Sequence, residues 1–340
     1  MSSATTGPRA EEPIPDPRKR LRSTRGLASL ERYALPLTWA AVIALFSFLR
    51  PDAFPTGPNL SSILSSQAVL VVVTIGLLAP LTVGDLDISA AAVVGLSAML
   101  VVILNTSLHV DVVYAVIIAI ACSALVGLLN GLFSVILGID ALIVTLATGS
   151  LALGATAWIS DNNTITGLAP SLVNIVVLDR FLGVSAEFFY ALIICVVVFY
   201  ILRYTPLGRR MLIVGQARDV ARLSGINVSR VRCGSLLFSA TLAGIAGILY
   251  AGTSGSASPG GGSELLLPAY AAAFLGATTI TPGRFNAFGS LIAVYFLATG
   301  ITGLELFGAQ NYVQQIFYGV ALLLAVTAST LIRRAGSRAG

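Results

Sequence analysis

The sequence predicts an all-α polytopic membrane protein of about ten transmembrane helices, with both termini cytoplasmic. Three observations predict it. Of the 340 residues, 56% are hydrophobic and only 10% charged, where a soluble domain carries about 25% charged residues. Apolar runs recur at lengths close to the ~20 residues that cross a bilayer as a helix. Basic residues gather in alternate connections between those runs. The runs are continuous rather than alternating with a period of two, which excludes a lipid-facing barrel.

Residues 1–32 are rich in Pro, Ser and Arg with little to bury, and they read as a disordered basic cytoplasmic leader. The first apolar run starts near Tyr33, behind that polar leader, and lacks a clear small-residue cleavage site. It reads as a retained helix, not a signal peptide. The transmembrane domain, 33–332, holds spans at 33–50, 60–80, 88–105, 112–137, 141–159, 184–202, 234–252, 265–281, 285–303 and 313–332. Only "LTVGDLD" separates the second from the third, short enough for a broken helix at membrane depth. The longest outer loop, 160–183, is too short for a second domain. Residues 333–340 are a cytoplasmic tail.

The orientation follows from charge. With the N-terminus inside and ten alternating spans, 18 of the 20 Lys and Arg fall in cytoplasmic segments; Arg50 and Arg180 are the exceptions. That is the bias the positive-inside rule requires.

Several chemistries are missing. The single lysine, Lys19, is not preceded by GxxxxG, so no phosphate-cradling loop is present. There is no HExxH and no GxSxG. The one histidine, His109, serves neither a triad nor, alone, a metal site. Cys122, Cys195 and Cys233 form no CxxC pair and read as small buried residues. The chain is therefore not expected to be an enzyme or to hold a cofactor, and nothing points to nucleic acid. Asp85, Asp87, Asp140, Glu264 and Glu305 lie at or near span ends. Ion-coupled transporters keep carboxylates or broken helices at the bilayer midplane, so the energy for transport is expected from outside the chain.

One stretch is out of character. "GRRMLIVGQARDVARLSGINVSRVR" (208–232) carries six arginines and one acid, Asp219, between two apolar runs. Its core reads as a short amphipathic helix, with Ala217, Val220, Ala221 and Leu223 on one face and Arg218, Asp219 and Arg222 around the other. Pro206 and Gly208 break it from the preceding span, and Ser224-Gly225 stops it. Two readings stay open on these residues: an interfacial helix on anionic lipid, or a docking helix entering a groove on a cytoplasmic partner.

"TPLGRRMLIVGQARDVARLSGINVSRV" resembles the cytoplasmic coupling loop (203–233 here) in the membrane subunits of ribose/xylose-type sugar ABC importers, within the branched-chain amino-acid/sugar permease superfamily. Three further stretches are similar to that family in the same order: 81–100, 127–154 and 274–326. The resemblance implies a permease subunit in the cytoplasmic (inner) membrane of a prokaryote. It would pair with a second permease copy, identical or related, dock on an ATP-binding subunit that holds ATP and Mg, and receive a monosaccharide from an extracytoplasmic binding protein. The coupling positions carried over are Gly208, Arg209, Ala221, Arg222, Leu223, Ser224, Gly225 and Ile226, with Asp219 among them. Departures are Ala217 where the family often has Asn, Arg218 where an acid is usual, Ala90-Ala91 after "DIS", and Glu305 in place of an amide.

Candidates for the translocation path are Asp85, Asp87, Asn130, Thr145, Thr148 and Tyr270. Each has a plainer reading. Asp87 can cap the third span. Asn130 sits between Gly127 and Gly131, a GxxxG pair that permits close helix packing. The threonines can bond their own helix carbonyls. Tyr270 can be a packed aromatic. Rival functions are a permease for branched-chain amino acids or another non-sugar solute, an ATP-independent transporter, and a non-transporting scaffold.

Overall fold

The computed structural model describes the backbone of residues 17–181 and 183–338, and the side chains of residues 33–177, 179–181 and 183–330. The helices are α1 (Pro17–Leu49), α2 (Gly57–Ser66), α3 (Ala68–Val83), α4 (Ser89–Thr106), α5 (Val112–Val135), α6 (Ala141–Ile159), α7 (Pro170–Val173), α8 (Ala186–Tyr204), α9 (Pro206–Gln216), α10 (Arg218–Leu223), α11 (Val228–Ser254), α12 (Leu266–Gly276), α13 (Ala287–Glu305) and α14 (Asn311–Arg338). Four two-residue strands make two antiparallel pairs: β1 (Ile165–Thr166) with β4 (Ser256–Ala257), and β2 (Arg180–Phe181) with β3 (Val184–Ser185).

Eight helical segments among the described residues are long and apolar enough to cross a membrane. Of the two remaining expected spans, 33–50 is the second half of α1, helical to Leu49, and 265–281 is the shorter apolar helix Ser263–Gly276. The second of these ends early because the chain leaves the helix after Gly276 and Asn286 ties the following loop, donating to Gly276 O and Thr279 O, each at 3.1 Å. Helix α1 begins at Pro17, inside the stretch expected as a disordered leader. Residues with good helix propensity extend a helix that already exists without a new nucleation step. Residues 1–16 of that leader lie outside the described residues.

Helix α3 is the centre of the molecule. Its sequence, AVLVVVTIGLLAPLTV, has no polar face, and 15 of its 16 residues are buried; an all-apolar helix of this kind belongs inside a bundle. Around it pack α4, α11, α12, α13 and α8. The outer helices α5, α6, α8 and α14 bury only 17–28% of their most apolar windows, against 72% for the span containing α3. Their exposed leucines and isoleucines face the lipid the sequence calls for.

Close packing rests on small residues, as the GxxxG pair suggested. A Cβ on Gly127 would stand 2.7 Å from Ala240 Cβ and 2.8 Å from Leu236 O, and one on Gly131 would overlap Cys233. Helices α5 and α11 therefore touch backbone to backbone. The stripe Ser239, Ala243, Gly247 is also packed: a Cβ on Gly247 would lie 2.7 Å from Ser97 Cβ on α4. Trp39 Nε1 donates to Thr299 Oγ1 at 2.9 Å and ties α1 to α13.

Candidate functional site

Two ends of the bundle differ in chemistry. At one, the α3–α4 loop, the 203–233 connection and the α12–α13 loop come together; this is the basic face. At the other lie the paired strands β1 and β4 and the first turn of α14. Helix α3 joins the two ends over about 24 Å, at 1.5 Å per residue.

On the basic face the chain turns sharply at Thr205, which ends α8 and caps α9, its Oγ1 accepting from Gly208 N at 3.5 Å. Pro206 occupies the first helical position. A Cβ on Gly208 would overlap Leu202 O, so only glycine lets α9 fold back on α8. Helix α9 buries Met211 and Val214 and leaves Arg209 and Arg210 exposed. Helix α10 follows, and its end has the geometry foreseen for Ser224-Gly225. Gly225 takes φ +77°, Gly225 N donates to Arg222 O and Ile226 N to Ala221 O, both at 3.0 Å. This is the Schellman stop, completed by Ile226 and Ala221 sharing one apolar cluster.

The apolar face expected on α10 is split by the structure. Ala217 is not in the helix but precedes it in extended conformation. Ala221 is buried against Ala79 and Val83 of α3, Met211 and Val214 of α9, and Val228 and Val231 of α11. Val220 and Leu223 point outward, 56% and 89% exposed. The cause is length: a helix of six residues closes under two turns, so one small residue seats it and its neighbours fall on other sides. The Arg222–Asp219 pair, at 3.5 Å, is solvent-exposed on both sides and adds little stability.

Asp85 and Asp87, two residues apart, have opposite surroundings. Asp85 receives both arginines that reach it from the basic stretch. Arg218 Nη2 lies 2.9 Å from Oδ1; Arg232 donates from Nε to Oδ2 at 2.7 Å and from Nη2 to Oδ1 at 2.8 Å. The Asp85 side chain is 3% exposed, Arg232 14% and Arg218 42%. The second contact is the two-pronged geometry that suits guanidinium and carboxylate.

Asp87 meets no cation among the described residues. Its Oδ1 accepts from Ser89 N at 3.1 Å and Ser89 Oγ at 2.6 Å, capping α4 as the sequence allowed. It is fully buried, with no hydrogen-bond partner for Oδ2 among the described residues. That burial raises its carboxyl above the usual carboxylate range, and the bonds from Ser89 act in the opposite direction. The Asp87 N–H donates to Tyr270 Oη at 3.0 Å. Asn130 Nδ2 donates to Ser89 Oγ at 2.8 Å, and Thr148 Oγ1 to Asn130 Oδ1 at 2.6 Å. Thr145 Oγ1 accepts from Ile88 N and donates to Leu86 O, each at 3.2 Å. Five of the six residues picked as pathway candidates thus form one network, which clamps the α3–α4 loop to α5, α6 and α12. Asp87, Asn130 and Thr145 are sealed from solvent. They hold the loop instead of facing open space.

The opposite end has a cavity of about 620 Å³, within the usual range for small-molecule sites. Gln67, Thr253, Glu264, Asn311, Gln314 and Gln315 supply its polar wall, and Tyr250 and Tyr318 its aromatic faces. Gln67 is available because the helix breaks there between α2 and α3. Behind the wall, Thr253 Oγ1 donates to Glu187 Oε2 at 2.7 Å, and Glu187 is buried. The sequence reading picked none of these as a site. A signal was present: Asn311, Gln314 and Gln315 recur at i, i+3, i+4 on an otherwise apolar helix, which places three amides on one face.

Comparison with known proteins adds the following. The family model described as "Branched-chain amino acid transport system / permease component" matches residues 59–326. The chain is 31% identical over 286 residues to the ribose import permease protein of Bacillus subtilis (strain 168), covering 84% of this chain and 88% of that one. It is 26% identical over 304 residues to the D-allose transport system permease protein of Escherichia coli (strain K12), covering 89% and 93%. It is 27% identical over 297 residues to the L-arabinose ABC transporter permease protein of Azospirillum brasilense, covering 87% of each. No solved structure matches the chain.

Proposed function

The chain belongs to the family of permease components of branched-chain amino acid transport systems, and on that premise we propose that it is the membrane-spanning permease subunit of an ABC importer for a monosaccharide. The carrying observation is the near-full-length similarity to permeases named for ribose, allose and arabinose, three aldoses. The cavity opposite the basic face supports the same solute class. Its amides, hydroxyls and tyrosines suit a polyhydroxylated neutral molecule. The family description favours a second reading, a branched-chain amino acid. An amino acid's carboxylate calls for a cation or a bundle of backbone donors, and no lysine or arginine is among the residues lining the cavity.

In this reading the basic face is cytoplasmic and the protein sits in a prokaryotic inner membrane. The energy comes from a separate subunit that binds ATP and Mg. A binding protein delivers sugar to the outer cavity, and a second permease copy, identical or related, completes the pathway. Helix α10 is the docking element, with Val220 and Leu223 as its apolar contacts and Gly208, Arg209, Asp219, Ala221, Arg222, Ser224, Gly225 and Ile226 building or flanking it. The partner's ATP-driven movement biases the choice between inward- and outward-facing arrangements. The force passes through the seat of Ala221 and through Arg218 and Arg232 onto Asp85, and so to the end of α3.

The test is uptake into proteoliposomes holding the permease with its ATPase and binding protein, ATP inside, against a panel of pentoses, hexoses and leucine. Sugar uptake only in the complete mixture, and only with ATP, is expected. Leucine uptake would transfer the protein to the second reading. Gradient-driven uptake by the chain alone would end the ABC reading.

A further inference from the structure

The basic face holds a cavity of about 440 Å³ between the end of α3, the α8–α9 corner and the α12–α13 loop. Three arginines line it: Arg203, Arg209 and Arg284. All three are exposed, and the ion pairs among the described residues engage only Arg218, Arg222 and Arg232. Three like charges around one cleft, with no carboxylate among the described residues that line it, repel one another unless an anion lies between. Guanidinium groups suit the oxygens of a phosphate in particular.

The position of the cleft selects the source of that phosphate. Helix α8 buries only 22% of its most apolar window, so its outer side faces lipid. Its last two turns carry Tyr200 and Tyr204, both exposed, with ring centroids 5.7 Å apart. Tyrosines at a span's end mark headgroup depth, and Tyr204 also lines the cleft. Phe199 and Phe285 give it an apolar inner wall. The cleft thus combines headgroup-level cations, an apolar wall and an edge on the lipid, the arrangement in which basic pockets between spans take anionic headgroups. Gly208 and Arg209, at the start of α9, line the same cleft.

We propose that this cavity binds the phosphate of an anionic lipid headgroup, and that the lipid braces the α8–α9 corner from which the docking helix hangs. Lipid retention can be measured on the purified permease without transport, so its failure and failure of the sugar reading are distinguishable.

The permease, stripped of lipid in detergent, is offered vesicles of phosphatidylethanolamine alone or mixed with phosphatidylglycerol, and retained lipid is read by native mass spectrometry. Phosphatidylglycerol should be kept in preference. Retention should fall about fivefold in Arg203→Gln or Arg284→Gln, and about twentyfold in the double variant. Arg230→Gln, on the same face but outside the cleft, should change nothing. Equal loss in Arg230→Gln would mean diffuse surface charge and overturn the proposal. A wild-type arm needs no variant to fold: phosphatidylglycerol should raise its melting temperature, and inorganic phosphate at the same concentration should not. Stabilisation by phosphate alone would assign the site to a free anion. Displacement of the bound lipid by the purified ATPase subunit, with ATPase binding lost in Arg203→Gln, would assign it to protein docking. Either result sinks the lipid proposal.

Discussion

Asp85 and Asp87 look alike in "GDLD", and the sequence reading treated them together. Asp85 ends up against two arginines and Asp87 against a serine, because adjacent odd positions on an irregular loop face different helices. Asp85 is buried and Arg232 half-buried, and removing the carboxylate strands both arginines. A hydrogen bond to a charged group is worth about 1.5–3 kcal/mol. We therefore expect Asp85→Ala to lower ATP-driven uptake about tenfold or more while the protein still inserts. Arg232→Ala leaves Asp85 its contact with Arg218 and should cost less, and the double variant should cost no more than Asp85→Ala alone, which a double-mutant cycle on uptake and on ATPase rate would measure. Additive losses would mean the two residues act separately. Gly131 makes a second point at this scale. Its hydrogen atom faces Cys233 across the α5–α11 contact, so Gly131→Val should destabilise the purified permease by about 1–3 kcal/mol, read as a lowered melting temperature.

Helix α10 shows how little an element needs when its neighbours supply the seat. Six residues are too few for a stable isolated helix. What holds this one is Ala221 in the α3–α9–α11 cluster and the glycine stop at Gly225. Because Leu223 is 89% exposed, charging it removes no internal packing. Arg222→Glu with Leu223→Asp should leave insertion and melting temperature unchanged and abolish ATP-driven uptake; normal uptake would remove α10 from the coupling route. Gly225→Val acts the other way, on the element itself. A β-branched residue at φ +77° costs about 1–2 kcal/mol, so the stop should loosen and ATPase stimulation by loaded binding protein should weaken, with the outer cavity untouched.

At the scale of the whole molecule, the polar cavity and helix α10 lie at opposite ends of one bundle, joined by α3 and α11. Both helices are mostly buried, with 72% and 61% of their most apolar windows out of solvent, and they pack directly on each other, the contact through which we expect displacement at the basic face to travel. The orientation is testable. Gln315→Cys should react with a membrane-impermeant thiol reagent added outside intact cells and block sugar uptake, and Ser224→Cys should react only in inverted vesicles. The reverse pattern would invert the topology. Much of this scale was legible early. Apolar runs and arginine placement gave the ten helical segments and the basic face, because span length and charge bias are local properties of the chain. The segment expected at 265–281 was overestimated since hydropathy does not report where a helix ends once a loop such as 277–286 is tied down by a side chain.

The sequence by itself determined a polytopic helical membrane protein, the place of its basic loop, the glycine stop within it, and the glycine pair at the close α5–α11 contact. Each follows from residue type and spacing along a few turns. Only the tertiary structure decided that Asp85 meets Arg218 and Arg232, 133 and 147 positions away, that Val220 and Leu223 face outward while Ala221 anchors, and that Gln67, Thr253 and Gln314 share one cavity wall. These outcomes depend on which helices become neighbours and how they are rotated. Close approach at small residues sets that, and apolar periodicity cannot report it in helices that are greasy on every side.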